Sequence, residues 1–371
     1  MHAVRITLCI SSLGLGGAQR VLLNLGGALV THGHAVTIWT ADPVTSDFFE
    51  LPEGVERCRA ELRDCFSCRW YEVRCQIRRT WEIRRSILST KPDLVISFID
   101  TTNIAVLLAL VNSSVPIIVS ERTYPCAHNI RARWALLRRL LYRRADRVVA
   151  VTRAAADCLD FLDPGKLAVI PNWVEGGRTM TGVIPRRRMV VAAGRLGVEK
   201  GFDLLIRAFA EVAEANRDWA LEIYGEGGER DALQTLIEDL ELSERVQLRG
   251  SVENLDAVFA EASVFALSSR YEGFPNALAE AMAAGMAVVS YDCQSGPSVL
   301  IDDGVDGLLV PAESVCELAK ALGKLMADDA LRQRLGRAAE RVVAQFSKDA
   351  VLSEWEALLE SVVTKPDRGV R

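Results

Sequence analysis

The chain is 371 residues long, half of them hydrophobic, a quarter charged and 6% aromatic, about twice the length of a typical domain. This composition excludes the low-complexity, collagenous and disordered classes, because it carries enough apolar surface to offset the ordering entropy of a large fold, and it predicts two domains. The formal charge of -5 conceals an asymmetry: residues 1–178 hold 23 basic and 17 acidic residues, whereas the remainder holds 21 and 32, so a net +6 half precedes a net -11 half.

In chain order, short Val- and Ile-rich runs at residues 4–10, 35–40, 94–97, 117–120, 147–151 and 167–170 predict strands buried on both faces. Amphipathic patterns between them, at 18–30 and 130–144 for example, predict helices, and this alternation implies right-handed crossovers over a parallel sheet. The opening apolar run is too brief for a secretory leader. No stretch reaches the ~18 apolar residues of a membrane span; the most apolar one, 94–119, is broken by Asp100, Asn103, Asn112 and Pro116. Nine cysteines, an odd number, predict reduced thiols in a cytoplasmic protein rather than a disulfide framework. The densest set, Cys58, Cys65, Cys68 and Cys75, has one C-x2-C pair but no second close pair and no neighbouring His. Small hydrophobes on or near a helix are favoured there over zinc, and no metal ligand is assigned.

The alternation stops at Ile170-Pro171-Asn172-Trp173, followed by Gly176, Gly177, Gly182 and Pro185, which sets a boundary between domains of residues 1–172 and 173–345. A second series of strands follows at 189–193, 220–224, 246–249, 264–267, 287–290 and 307–310, again with helices between. Apolar residues at Val351, Leu352, Trp355, Leu358, Leu359 and Val362 mark a last helix over 346–363. The fold class is therefore α/β, two doubly wound Rossmann-like domains in tandem, with ligands expected at the carboxyl ends of their strands and a cleft between the domains.

Four segments carry candidate chemistry. The first strand-to-helix turn, Ser11-Ser12-Leu13-Gly14-Leu15-Gly16-Gly17-Ala18, offers backbone amides and a helix N-terminus to an anion. Its G-x-G-G spacing departs from the dinucleotide fingerprint, although Asp42 stands where a ribose-binding acid would, and without Gly-Lys-Ser/Thr it is not a P-loop; a plain tight turn explains the same residues. Second, Gly194-Arg195-Leu196-Gly197-Val198-Glu199-Lys200-Gly201 sets two cations five residues apart between strand and helix, a diphosphate clamp with a planar fork and a point charge. Third, Tyr224-Gly225-Glu226-Gly227-Gly228-Glu229-Arg230 repeats that geometry, with Gly225 allowing close backbone approach and Arg230 near the helix start. Fourth, Glu272-Gly273-Phe274-Pro275-Asn276-Ala277-Leu278-Ala279-Glu280 places one acid in a loop and another one turn inside a helix predicted over 276–284. Carboxylates accept hydroxyl protons and free helix amides meet phosphate, so the segment suits a phosphorylated, hydroxyl-rich ligand. Either acid alone reads as an ordinary surface residue.

These pieces in this order, with Ile170-Pro171-Asn172, resemble the GT-B retaining glycosyltransferases of family 4, most of all members that build bacterial polysaccharides and lipid-linked glycans; the resemblance spans nearly the whole chain. It implies that the carboxy-terminal domain holds a nucleotide diphosphate sugar, with a UDP-sugar the expected donor. Arg195 and Lys200 would neutralise the diphosphate, Glu280 would bond the ribose, and Glu272 with Phe274, Pro275, Asn276 and Ala277 would hold hydroxyls of the transferred sugar. Gly16 and Gly17 would meet the phosphates, and residues 251–254 match the base-contacting loop only loosely. The segment 346–371 would return to complete the amino-terminal domain. The sequence has no Asp-x-Asp motif, so fixed cations rather than a metal are expected to stabilise the leaving diphosphate, with no cofactor, and Glu272 is assigned positioning. Family members often carry a His after the fourth strand; here the matching place reads Ser120-Glu121-Arg122-Thr123-Tyr124-Pro125, with His128 the nearest, so Glu121 and Arg122 become the acceptor-side candidates.

The basic half fits a glycan or polyprenyl-linked acceptor and an anionic membrane surface: residues 57–91 carry ten Lys/Arg, and 131–147 carry seven against Asp146 alone, interleaved with Trp134, Leu136, Leu137, Leu140, Leu141 and Tyr142. A helix packed on its sheet with solvated arginines is the competing explanation. Nucleic acid is not an expected partner. The alternative functions are a sugar-nucleotide epimerase of the same architecture, a non-catalytic sugar-nucleotide-binding protein and, more remotely, a dinucleotide oxidoreductase.

Overall fold

Val- and Ile-rich runs bury both faces in two all-parallel sheets, which the computed structural model assigns to two separate compact units, residues 1–171 with 349–371 and residues 172–348. Residues 3–41, 47–60, 69–128, 130–176 and 186–364 are described. Asp42, Cys65, Cys68, Gly177, Gly182 and Pro185 lie outside them, as does the side chain of Cys75.

The first unit runs β1 (Arg5–Cys9), α1 (Gly17–Thr31), β2 (Ala35–Thr40), β3 (Glu56–Arg59), α2 (Arg69–Ser89), β4 (Leu94–Phe98), α3 (Asp100–Ala109), β5 (Ile117–Glu121), α4 (Ala132–Leu141), β6 (Arg147–Ala150), α5 (Arg153–Asp157) and β7 (Leu167–Val169). Its seven strands are ordered β3-β2-β1-β4-β5-β6-β7. The second unit runs β8 (Arg187–Ala193), α6 (Phe202–Ala213), β9 (Ala220–Tyr224), α7 (Arg230–Asp239), β10 (Val246–Gly250), α8 (Asp256–Glu261), β11 (Ala262–Leu267), α9 (Asn276–Ala283), β12 (Ala287–Asp292), α10 (Pro297–Leu300), β13 (Leu308–Pro311), α11 (Val315–Ala327), α12 (Asp329–Ala339) and α13 (Arg341–Gln345), with the order β10-β9-β8-β11-β12-β13. The chain then re-joins the first unit through α14 (Lys348–Val363), which buries Val351, Leu352, Trp355, Leu358, Leu359 and Val362 and brings Glu356 to His34 Nε2 at 3.2 Å.

Each sheet reverses its winding once, between β1 and β4 in the first and between β8 and β11 in the second. Connections leaving the two strands at such a point go to opposite faces and open a crevice at their carboxyl ends, where doubly wound sheets bind ligands. Thr152, Ser314 and Asp328 cap α5, α11 and α12 with their side chains; α1, α6 and α9 begin at Gly16, Gly201 and Pro275 without a side-chain cap, as do α3, α4, α7, α8, α10 and α13 at their own starts.

Two features depart from the sequence reading. β3 is an extra edge strand, missed because Glu56-Arg57-Cys58-Arg59 has no buried apolar face. The expectation of reduced thiols throughout is corrected at Cys126 and Cys158, which form a disulfide with Cα atoms 5.6 Å apart; the fold brings the segment after β5 onto the end of α5, a proximity that cysteine spacing does not encode. Cys58 donates to the Ser86 carbonyl and packs on the core beside Cys9, whose thiol burial pushes up. Among the described residues no group of His, Cys, Asp and Glu is arranged to hold a metal, and no helix is long and apolar enough to cross a membrane.

Candidate active site

In the second unit the loops that leave β8 and β11 are joined by backbone and side chain. Gly201 takes φ 61, and a Cβ there would stand 2.1 Å from the Ser268 carbonyl oxygen, so only glycine lets the two loops approach this closely. Ser268 Oγ donates to the Lys200 carbonyl at 2.9 Å, and Arg270 N donates to the Glu199 carbonyl at 2.8 Å. The Arg270 guanidinium clamps Asp203 through two bonds of 3.0 and 2.9 Å and reaches the Val198 carbonyl at 2.6 Å. Gly225, at φ 147, lies so close to the Gly194 carbonyl that a Cβ would sit 1.8 Å from it.

This frame delivers the two groups read as most chemical to one point. Lys200 Nζ donates to Glu272 Oε1 at 2.7 Å, and Ser269 Oγ donates to the same oxygen at 2.7 Å; Glu272 is 7% exposed. Arg195 is placed differently. Its side chain is 72% exposed and holds Glu199, so the two cations do not stand as one clamp. Burial pushes the Glu199 carboxyl up, but the Arg195 hydrogen bond, its own backbone amide and the charges of Arg195 and Lys200 together hold it below the usual value. Both cations are therefore felt at one spot.

Beyond Glu272 the chain turns into α9. Phe274 packs its ring edge-to-face on Phe346, with centroids 5.6 Å apart, so its backbone rather than its ring is available to a ligand. Pro275 stands at the cap, and Asn276 Oδ1 accepts from Asn172 Nδ2 at 2.8 Å, which explains the Ile-Pro-Asn segment: it anchors the start of α9 from within the same unit. Ala277 and Glu280 are half-buried, with Glu280 one turn inside the helix. Arg230 is the first residue of α7, and its guanidinium donates to Glu226 in the preceding loop and to the Leu248 carbonyl of β10. Sequence reasoning missed Arg270, Ser268 and Ser269, which hold the site without entering any recognised motif.

In the first unit, Gly16 and Gly17 form the uncapped start of α1 at the winding reversal. Glu121, expected to touch substrate, is corrected: it has no exposed surface. Tyr142 Oη donates to it at 2.7 Å and Thr123 Oγ1 at 3.1 Å, while Asn103 Nδ2 donates to Tyr142 Oη at 3.0 Å. A charged side chain at the end of a strand reads alike whether it faces solvent or the interior. Burial, helped by the Asp100 charge, raises Glu121 to about 7 against the pull of Tyr142, Arg138 and Thr123. Arg122 lies over the Phe98 ring at 4.3 Å, and burial lowers its guanidinium to about 9.

Two family models match the chain, Glycosyltransferase Family 4 over residues 15–177 and Glycosyl transferases group 1 over residues 181–342. The chain aligns over 361 residues, 97% of its length and 99% of the relative's, at 27% identity with the Campylobacter jejuni enzyme named GalNAc-alpha-(1->4)-GalNAc-alpha-(1->3)-diNAcBac-PP-undecaprenol alpha-1,4-N-acetyl-D-galactosaminyltransferase. An exopolysaccharide phosphotransferase of Streptomyces coelicolor is 37% identical over 204 residues, 54% of this chain, and the chain spans 21% of that relative's length. Among solved structures, Anabaena HepE in complex with UDP and glucose matches with TM-score 0.79 over 96% of this chain and 100% of the other at 19% identity, a likeness of fold.

Proposed function

Because the chain belongs to the family 4 glycosyltransferases of the GT-B fold, we propose that it transfers a hexose or N-acetylhexosamine, with retention, from a UDP-sugar to a lipid-linked glycan acceptor in polysaccharide assembly. The observation that carries this reading is the Lys200–Glu272 pair at the winding reversal of the second sheet, set between α6 and α9, whose first amides have no side-chain cap. In the proposed complex Lys200 leaves Glu272 for the donor diphosphate, and the exposed Arg195 swings onto the same phosphates. Glu272 then accepts hydroxyl protons of the transferred sugar, together with the backbone of residues 274–277. Glu280 takes the ribose, and Gly225 lets the nucleotide approach the backbone.

Two cations and helix amides stabilise the leaving diphosphate without a divalent metal. In the retaining reaction proposed, the departing phosphate takes the acceptor's proton on the face it leaves, and Glu272 positions the sugar. Arg122, stacked on Phe98, is the acceptor-side cation. The relative from Campylobacter jejuni, whose name specifies an undecaprenol-linked substrate, supports the acceptor class. The exposed Ile77 and Trp81 of α2 and Leu136 and Leu140 of α4, set among arginines, support docking on an anionic membrane from the cytoplasmic side.

The test is a thermal-shift panel of UDP- and GDP-sugars followed by transfer assays. Stabilisation by one UDP-sugar, and transfer that resists chelators, is the expected result; stabilisation by GDP-sugars alone overturns the donor assignment.

A further inference from the structure

We infer, resting on the donor reading proposed for this site, that Arg270 is a positioning residue for donor capture: it acts through Lys200, by pinning the backbone on both sides of that lysine opposite Glu272.

Carbonyls in a loop that leaves a parallel strand have no ladder partner, so whatever donates to them decides where the loop stands. Lys200 closes a 3-10 turn over Val198–Lys200 and is followed by Gly201 at φ 61 and then by α6. Three consecutive carbonyls of this turn accept from the loop after β11: Val198 from Arg270 Nη1 at 2.6 Å, Glu199 from Arg270 N at 2.8 Å and Lys200 from Ser268 Oγ at 2.9 Å. Arg270 also forks onto the first turn of α6, Nη1 to Asp203 Oδ1 at 3.0 Å and Nη2 to Oδ2 at 2.9 Å. One guanidinium thus grips the chain before and after Lys200. Its remaining edge is held from a third segment, since Nε donates at 3.3 Å to Glu313, which follows β13 and takes φ 59, a conformation that residues with a Cβ rarely adopt. Alternate residues of the β11 loop, Ser268, Arg270 and Glu272, therefore all bond to the segment 198–203.

The charge on Arg270 is already balanced. Two carboxylates and a carbonyl occupy a side chain only 23% exposed, so it is not a third cation for a diphosphate, and its influence on a ligand passes through its neighbours. Lys200 is the neighbour that needs it. A lysine stem has four rotatable bonds, and Nζ is fixed at one end by the backbone and at the other by Glu272. When the donor draws Nζ off Glu272, the outer anchor is lost and the backbone anchors alone hold the lysine against the phosphates. Arg270 supplies two of the three carbonyl anchors and the Asp203 clamp. Its contribution is consequently larger in the bound state, which makes it a matter of affinity and not of folding alone. Only a planar fork spans these acceptors; a lysine there keeps the charge beside Asp203 and loses the simultaneous reach to Val198.

The experiment uses the full chain and UDP as the probe. Arg270→Lys should weaken UDP binding at least tenfold in isothermal titration, as the loss of a charge-assisted bond does, and raise the donor KM in step while leaving the acceptor KM within twofold. In a Lys200→Ala background the same change should weaken UDP binding less than twofold, because the residue it acts through is gone. With no ligand added, the coupling between Lys200 and Glu272 in urea titration should fall by at least half in the Arg270→Lys background. Glu313→Gln, which loses only the charge on Nε, should weaken UDP binding about threefold and takes the place of Arg270→Lys if that variant does not fold. A merely structural arginine would lower the melting temperature and leave these ratios alone. Unchanged UDP binding in the folded variant overturns the inference, as does an equal loss with and without Lys200 or an acceptor KM that rises as much as the donor KM. If the parent chain binds no UDP, the donor reading fails, and the urea coupling then decides by itself: a coupling insensitive to Arg270→Lys removes the positioning role as well.

Discussion

Lys200 and Glu272 allow the donor hypothesis to be tested through stability before any substrate is identified. At 2.7 Å, with side chains 22% and 9% exposed, the pair lies between a surface ion pair and a buried one. Surface pairs couple by about 0.2–1 kcal/mol, whereas breaking a fully buried pair costs about 3–5 kcal/mol. Lys200→Ala strands a nearly buried carboxylate that still accepts from Ser269, a cost of about 2 kcal/mol. Glu272→Gln keeps an acceptor for Lys200 and should cost about 1 kcal/mol. The double variant should show a coupling of about 1–2 kcal/mol. In a unit of this size about 2 kcal/mol lowers the melting temperature by roughly 4–8 °C, which calorimetry and urea titration both resolve. Saturating donor should then abolish most of the coupling, because the diphosphate replaces Glu272 as the partner of Lys200. Both single variants should also lose about a hundredfold or more in transfer. A coupling that persists unchanged in the presence of bound sugar nucleotide would refute the exchange of partners, and with it the role of Lys200 on the diphosphate.

Three further outcomes follow from the first unit. Glu121 rises from an ordinary 4.5 to about 7 on folding, so it favours the folded state in its neutral form; stability is lost as pH climbs from 4.5 through about 7 and is level above, by about 3 kcal/mol in all. Glu121→Gln should remove that loss, and a urea midpoint difference between variant and parent that is flat over this window would refute the buried titrating carboxyl. The Cys126–Cys158 bond spans 32 residues, a loop whose closure is worth about 3–4 kcal/mol. Thiol reductant or Cys158→Ser should lower the melting temperature of the first unit by several degrees, and denatured, unreduced protein should titrate at least two fewer thiols than its nine cysteines; a full count of nine would remove the bond. Reversing exposed Arg133, Arg139 and Arg143 of the α4 region to Glu should cut binding to anionic vesicles by a hundredfold or more, at about 1 kcal/mol per basic charge lost, and unchanged flotation would remove the membrane face.

The strands of both cores were legible because burial on two faces demands uninterrupted Val, Ile and Ala, a demand visible in residues 189–193 and 287–290 without any knowledge of neighbours. β3 escaped because an edge strand with Arg57 bonded to Asp47 and Thr40 needs no such run. The site was legible to the extent that its chemistry is local. Gly201, Lys200, Glu272 and the start of α9 each lie within a few residues of a strand end, and strand ends are where such folds act. Partners were not legible. Lys200 and Glu272 are separated by 72 positions and meet only because β8 and β11 pair at the point where the sheet reverses. Glu121 shows the same limit from the other side. Its charge suggested contact with substrate, yet burial, helped by the Asp100 charge and opposed by the hydrogen bonds from Tyr142 and Thr123, makes it an interior acid near neutrality. Residue type at a strand end thus tells that a ligand site is near; which of its acids meets the ligand is decided by burial, and burial follows from the strand order that brings distant segments together.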